Sequence, residues 1–157
     1  ADLRESYKGE KFSHASAIKR CLDFKNVNVV SIGIRNLSKS EMNFYSKNRK
    51  RIKIFWAKDK SNWNTNNLFA SLKNKNVYIT FDVDGFDSSI MPATGTPEPG
   101  GLFWEEVLQI IKKTCQISNV VGADINELSP IKNFDSYNFL VAKLAYKILS
   151  YVFEFKP

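Results

Sequence analysis

The chain of 157 residues is long enough for one domain with a sizeable core, and 43% apolar and 13% aromatic content exclude a disordered polymer. The net charge of +7 is spread over lysines scattered among asparagines; the one dense cluster, KNRKRIK (47–53), has no interleaved aromatics, which argues for a solvated surface and against nucleic-acid binding. No apolar run is long enough to span a bilayer and no charged-then-apolar leader opens the chain, so no membrane partner is expected, the location is read as cytoplasmic, and Cys21 and Cys115 are read as free thiols.

The first element is SHASAIKRCLDF (13–24), whose Ala17, Ile18, Cys21 and Leu22 have helical spacing, with Ser13 placed as N-cap. NVNVVSIGI (26–34) is rich in β-branched residues and predicts a strand. SKSEMNFYSKN (38–48) predicts a helix, because Ser38 and Glu41 stand at capping-box spacing. RIKIFWA (51–57) alternates like a strand, and SNWNTNNLFASLKN (61–74) predicts a helix weakened by its asparagines. VYITFDVD (77–84) predicts a third strand, followed by a long loop and a helix over 103–114. VVGADINEL (120–128) predicts the fourth strand and SYNFLVAKLAYKILSYVFEF (136–155) a long amphipathic helix. Strands alternating with helices give an α/β fold with a mostly parallel sheet covered by helices on its faces.

The chemistry-bearing residues gather at strand ends. In FDVDGFDSSIMPATGTPEPGG (81–101), Asp82 and Asp84 are two apart, so extended backbone points both carboxylates to one side. Two such carboxylates repel unless a cation neutralises them, and ligands collect at the carboxyl ends of parallel strands. The plainer reading is turn chemistry, since Asp is common in loops, but an Asp inside a strand is disfavoured. Asp124 and Glu127 lie on or just after the fourth strand, while Asp2 and the sole histidine, His14, lie near the start. By themselves, His14 reads as a solvated helix-start residue and Glu127 as a solvent-facing strand residue. PATGTPEPGG (92–101) reads as a loop stiffened by Pro and Gly, and long ordered loops in compact domains are often functional.

DVDGFDSSIMPATGTPEPGGL resembles the signature of the ureohydrolase family, the arginases, agmatinases and related amidinohydrolases. Three further segments resemble the same family in the same order: ADLRESYKGEKFSHASAIKR, VVSIGIRNLSKSE and VVGADINELSP. The resemblance covers nearly the whole chain. It implies a three-layer α/β/α arginase-like fold and two Mn²⁺ ions per active site, whose shared hydroxide attacks a guanidinium carbon to release urea. By position, Asp82 matches the carboxylate that bridges both metals, Asp84 a ligand of the second metal, and Asp2 a ligand of the first. His14 matches the proton-shuttling histidine of an active-site loop, and Glu127 the acid that pairs with the guanidinium. Hard carboxylates suit Mn²⁺, and paired metals lower the pKa of bound water.

A complete member supplies six protein ligands, of which three have matches here. The expectation is therefore that residues 1–157 are the C-terminal part of a single ureohydrolase domain, with N-terminal strands missing, weak metal binding and no activity alone. PEPGG, the SHA segment, and Asn36 and Ser38 where arginases carry acidic residues lean toward agmatinases, which turn agmatine into putrescine and urea. The expected partners are a small guanidino substrate and further copies in a homotrimer or homohexamer. An arginase, a hydrolase of another guanidino compound, and an inactive remnant serving as an assembly partner stay open as alternatives.

Overall fold

β-Branched and aromatic runs become strands here wherever a neighbour can pair with them and a helix can cover them. The computed structural model describes residues 1–156, with two compact units, Ala1–Trp63 and the residues from Asn64 on. In the first unit, helix α1 (Ala17–Cys21) precedes strand β1 (Val29–Ile34), helix α2 (Lys39–Lys47) and strand β2 (Ile52–Trp56). β1 and β2 pair in parallel from Val29 opposite Ile52 to Ile34 opposite Trp56. The register slips between Ile32 and Ile34, at Gly33, whose φ of +82° is open to glycine at little steric cost. Leu3, Leu22 and Ile52 form the core, flanked by Ile18, Val29, Leu37, Phe44 and Ile54.

The second unit runs α3 (Thr65–Ala70), β3 (Asn76–Asp82), α4 (Trp104–Ile117), β4 (Asn119–Asn126) and α5 (Asp135–Glu154). β3 and β4 are again parallel, with Tyr78 opposite Gly122, Thr80 opposite Asp124 and Asp82 opposite Asn126. The pairing is thus parallel, as expected, and forms two two-stranded sheets, one in each unit. α4 buries Val107, Leu108, Ile111 and Cys115, and α5 buries Leu144 and Ile148. The loop between β3 and α4 has a core of its own, with Val83, Phe86, Met91 and Ala93 at most 1% exposed. Its end is fixed by the Glu106 carboxylate, which accepts the Phe103 N–H at 2.7 Å and caps α4. Among the described residues no helix is long and apolar enough to cross a membrane.

Several element ends differ from the sequence reading, each for a local reason. The helix expected over 13–24 is a 3-10 turn, His14–Ser16, followed by the short α1. Ser13 caps no amide, because its hydroxyl is within hydrogen-bonding distance of the Ser16 hydroxyl, at 3.0 Å. The helix expected over 61–74 shrinks to α3, with residues 57–62 in a 3-10 turn; Asn64 caps it by accepting the Asn67 N–H at 3.2 Å. The strand expected over 77–84 ends at Asp82, and Val83–Gly85 form a 3-10 turn. The strand expected over 120–128 ends at Asn126, because Glu127 turns into the left-handed region at φ +66°.

Candidate functional site

Asp82 and Asp84 come together by a turn and not by strand alternation. The Asp82 carboxylate accepts the Asp84 N–H at 3.3 Å, which closes the 3-10 turn and takes Asp84 off the strand. The expectation of extended backbone through the pair is corrected accordingly: the chain turns at Val83–Gly85, and the Asp82 side chain caps that turn. The other side of Asp84 is held by the loop, where the Thr96 hydroxyl donates to its Oδ2 at 3.0 Å. Both carboxylates are half-buried at the end of β3.

The same loop reaches Glu127. Thr94 and Leu128 form an antiparallel bridge, and the Ser129 N–H donates to the Ala93 carbonyl at 2.9 Å. Glu127 immediately precedes these contacts in a left-handed conformation, which for a glutamate is strained. A Cβ placed on Gly95 would lie 3.9 Å from Glu127 Oε2, so the carboxylate rests beside the ATGT segment. Residues held in such conformations gather at ligand-binding sites, where surrounding structure over-determines them. Asp82, Asp84 and Glu127 are therefore linked through a single loop.

Beside Asp82, the face of the β3–β4 pair is polar. Thr80 donates to Asp124 at 2.7 Å, Asn126 donates to the same carboxylate oxygen, and a hydrogen bond to Asp124 raises the Tyr78 hydroxyl above its ordinary value. The sequence marked Asp124 as chemistry-bearing without a role; here it accepts from its β4 neighbour Asn126 and from β3. Asp87, the third aspartate of the run, is buried. The hydroxyl and N–H of Ser89 and the N–H groups of Gly100 and Gly101 outweigh that burial and hold its carboxyl at about 2.

Asp2 and His14 belong to the first unit. Asp2 has a φ of +56°, its carbonyl accepts the Lys19 N–H at 2.9 Å, and the next residue, Leu3, is 1% exposed. The Leu3 N–H donates to Glu41 Oε1 at 3.1 Å, and Arg4 Nε lies 3.7 Å from Glu41 Oε2. The capping-box glutamate thus also secures the segment that carries Asp2. Burial works to raise the Glu41 carboxyl, but its bonds to the Ser38 hydroxyl and N–H and to the Leu3 N–H lower it below 4.5. His14 opens the 3-10 turn and is exposed; its ring meets the Tyr7 ring edge-on, with centroids 5.2 Å apart.

Carboxylate oxygens are the right donors for a hard divalent cation such as Mn²⁺. Among the described residues, however, no group of three or more His, Cys, Asp or Glu side chains could hold a metal ion, so the chemistry fits while the set is partial. Residues missing from the sequence-based site but tied into it are Thr96, which bonds Asp84, and Asp87 and Glu41, which anchor neighbouring backbone. Glu41 carried a signal in its capping-box spacing, and Asp87 and Thr96 in the run of three aspartates and the ATGTP loop that follows it, though no spacing gave their contacts.

The family model described as the arginase family matches residues 1–150. An N(1)-aminopropylagmatine ureohydrolase of Synechocystis is 37% identical over 153 residues, covering 96% of this chain and 49% of that protein. An agmatinase of Pyrococcus horikoshii is 35% identical over 148 residues, covering 94% of this chain and 51% of its own length. The crystal structure of the agmatine ureohydrolase of Thermoplasma volcanium superposes with a TM-score of 0.82 at 32% identity, over 96% of this chain and 51% of that one. The chain thus spans about half the length of the curated relatives it matches.

Proposed function

Because the chain belongs to the arginase family, we propose that it supplies part of the active site of a ureohydrolase that removes urea from agmatine or an aminopropyl derivative of it. The reaction adds water across the guanidinium carbon, breaks one C–N bond and leaves urea and a primary amine. The observation that carries this reading is the paired Asp82 and Asp84 carboxylates at the end of β3, linked through Thr96 and the 92–101 loop to Glu127. The names of two relatives, an agmatinase and an N(1)-aminopropylagmatine ureohydrolase, support the choice of substrate class.

In this reading Asp82, Asp84 and Asp2 would hold manganese through their carboxylate oxygens. Two bound Mn²⁺ ions supply a water-derived nucleophile at neutral pH and an electrostatic sink for developing negative charge. Glu127 accepts two parallel N–H bonds from the guanidinium, which orients the carbon toward attack and matches its positive charge. The left-handed backbone at Glu127 stiffens that aim, since only a locked surrounding keeps a glutamate there. His14, exposed on its turn, carries the proton to the departing amine. The Thr96 hydroxyl orients the Asp84 carboxylate. The active assembly is a homotrimer or homohexamer of a chain of the relatives' length.

Metal content and rate separate these roles in a protein of full family length that carries these residues. Glu127→Gln is expected to keep its manganese while urea release falls, and Asp82→Ala to lose the metal together with the activity. Manganese lost from Glu127→Gln, or retained at full occupancy in Asp82→Ala, would refute the assignment.

A further inference from the structure

The 88–101 segment is closed at its base by a single buried carboxylate. Asp87 is 8% exposed, and its Oδ1 accepts the Ser89 N–H at 2.9 Å and the Ser89 hydroxyl. Its Oδ2 accepts the Gly100 N–H at 2.7 Å and the Gly101 N–H at 3.1 Å. Each oxygen therefore binds a different end of the same loop: Oδ1 the exit and Oδ2 the return. The backbone closes around it, with Asp87 N–H donating to the Leu102 carbonyl at 2.9 Å and the Leu102 N–H to the Gly85 carbonyl at 3.0 Å. Gly101 permits this approach, because a Cβ there would fall 2.5 Å from the backbone of Phe86 and Asp87. Met91, Ala93 and Thr94 are buried within the loop, while Gly95 and Thr96 emerge exposed at its tip. That tip carries the hydroxyl that bonds Asp84 and the glycine beside Glu127.

We infer that Asp87 is a positioning residue for the metal-binding carboxylate: by clasping both ends of the loop it sets Thr96 on Asp84. The clasp and the Thr96 bond are visible in the fold; that Asp84 binds metal rests on the function proposed above. A carboxylate that ligates through one oxygen needs the other oriented by a hydrogen bond, and loss of such outer partners commonly weakens metal binding by about 10–100-fold. If Asp87 acts on Asp84 through the loop and the Thr96 hydroxyl, its effect vanishes when Thr96 can no longer donate.

The test is a double-mutant cycle in the 157-residue chain, with Mn²⁺ alone as the probe. Asp87→Asn, Thr96→Val and the double variant are compared at a temperature where all are folded. Two signals are read: the Asp84 carboxyl ¹³C shift without metal, and the Mn²⁺ concentration that broadens the backbone amides of residues 82–85. Expected is a shift at Asp84 in Asp87→Asn, an Mn²⁺ affinity lower by about tenfold or more, and no further loss when Asp87→Asn is added to Thr96→Val. Additive losses, or an Asp84 signal unmoved while only Ser89, Gly100 and Gly101 respond, would reduce Asp87 to a structural anchor and overturn the inference. If the unsubstituted chain, with its partial ligand set, takes up no Mn²⁺, the metal-free Asp84 shift alone decides whether Asp87 sets Thr96. Should Asp87→Asn not fold, Ser89→Ala removes one donor from the clasp; an unmoved Asp84 signal there would be equally fatal.

Discussion

Glu41→Ala tests how the Asp2 segment is held. Glu41 is 5% exposed and its carboxylate accepts the N–H of Leu3, the N–H of Ser38 and the hydroxyl of Ser38 at 3.1, 2.9 and 2.7 Å. Removal leaves the buried Leu3 N–H without that acceptor, at a cost of about 1–3 kcal/mol. Loss of the reciprocal half of the α2 cap adds about 1 kcal/mol. Together these give a destabilisation of about 3 kcal/mol, a large share of a typical domain's ~5–15 kcal/mol. Urea denaturation followed by tryptophan fluorescence reads it as a lower midpoint with an unchanged slope. A loss under about 1 kcal/mol would refute the reasoning, since a buried N–H cannot lose its acceptor so cheaply. The pH dependence has a definite sign. The Glu41 carboxyl is lowered in the folded chain, so its contribution is complete above its unfolded value of 4.5 and is lost as pH falls through the folded value. Glu41→Gln is expected to lack that acid-dependent increment.

Three further outcomes follow from single positions. Glu127→Gly relieves a left-handed glutamate at φ +66°, so stability is expected to hold or rise by up to about 1 kcal/mol while guanidinium recognition is lost; a clear destabilisation in a urea melt would contradict the strain. Gly101→Ala drives a methyl against backbone 2.5 Å away and is expected to cost about 3 kcal/mol or more, read as a drop in melting temperature; a neutral substitution would show that the loop base yields. His14→Ala in a full-length family protein is expected to slow urea release by roughly 10²–10⁴-fold with manganese content unchanged. An unchanged rate would remove His14 from the proton path.

Much of the architecture was legible because periodicity and capping are local. The Ser38–Glu41 spacing predicted α2 to within a residue at each end, and the β-branched runs located all four strands. Element ends were less legible where a side chain competes with the backbone. Asp82 terminates β3 by capping its own turn, and the asparagines of 61–74 permit only the six residues of α3. The site was legible as residue types at strand ends, but not as geometry. Nothing in the spacing of Asp82 and Asp84 distinguishes an aligned strand pair from a capped turn. Four donors from residues 89, 100 and 101 meet at Asp87 only after the loop has closed. Glu127 looked like an ordinary strand residue, because a backbone dihedral leaves no trace in the sequence unless glycine or asparagine occupies the position.

The most direct measurement is urea release by a manganese-loaded protein of full family length carrying these 157 residues, assayed with agmatine, N(1)-aminopropylagmatine and arginine. Urea is expected from one or both agmatine-type substrates and far less from arginine, with none from the 157-residue chain alone. A manganese-replete protein that releases no urea from any linear guanidino compound would contradict the proposed function. Urea released by the isolated chain would contradict the partial ligand set.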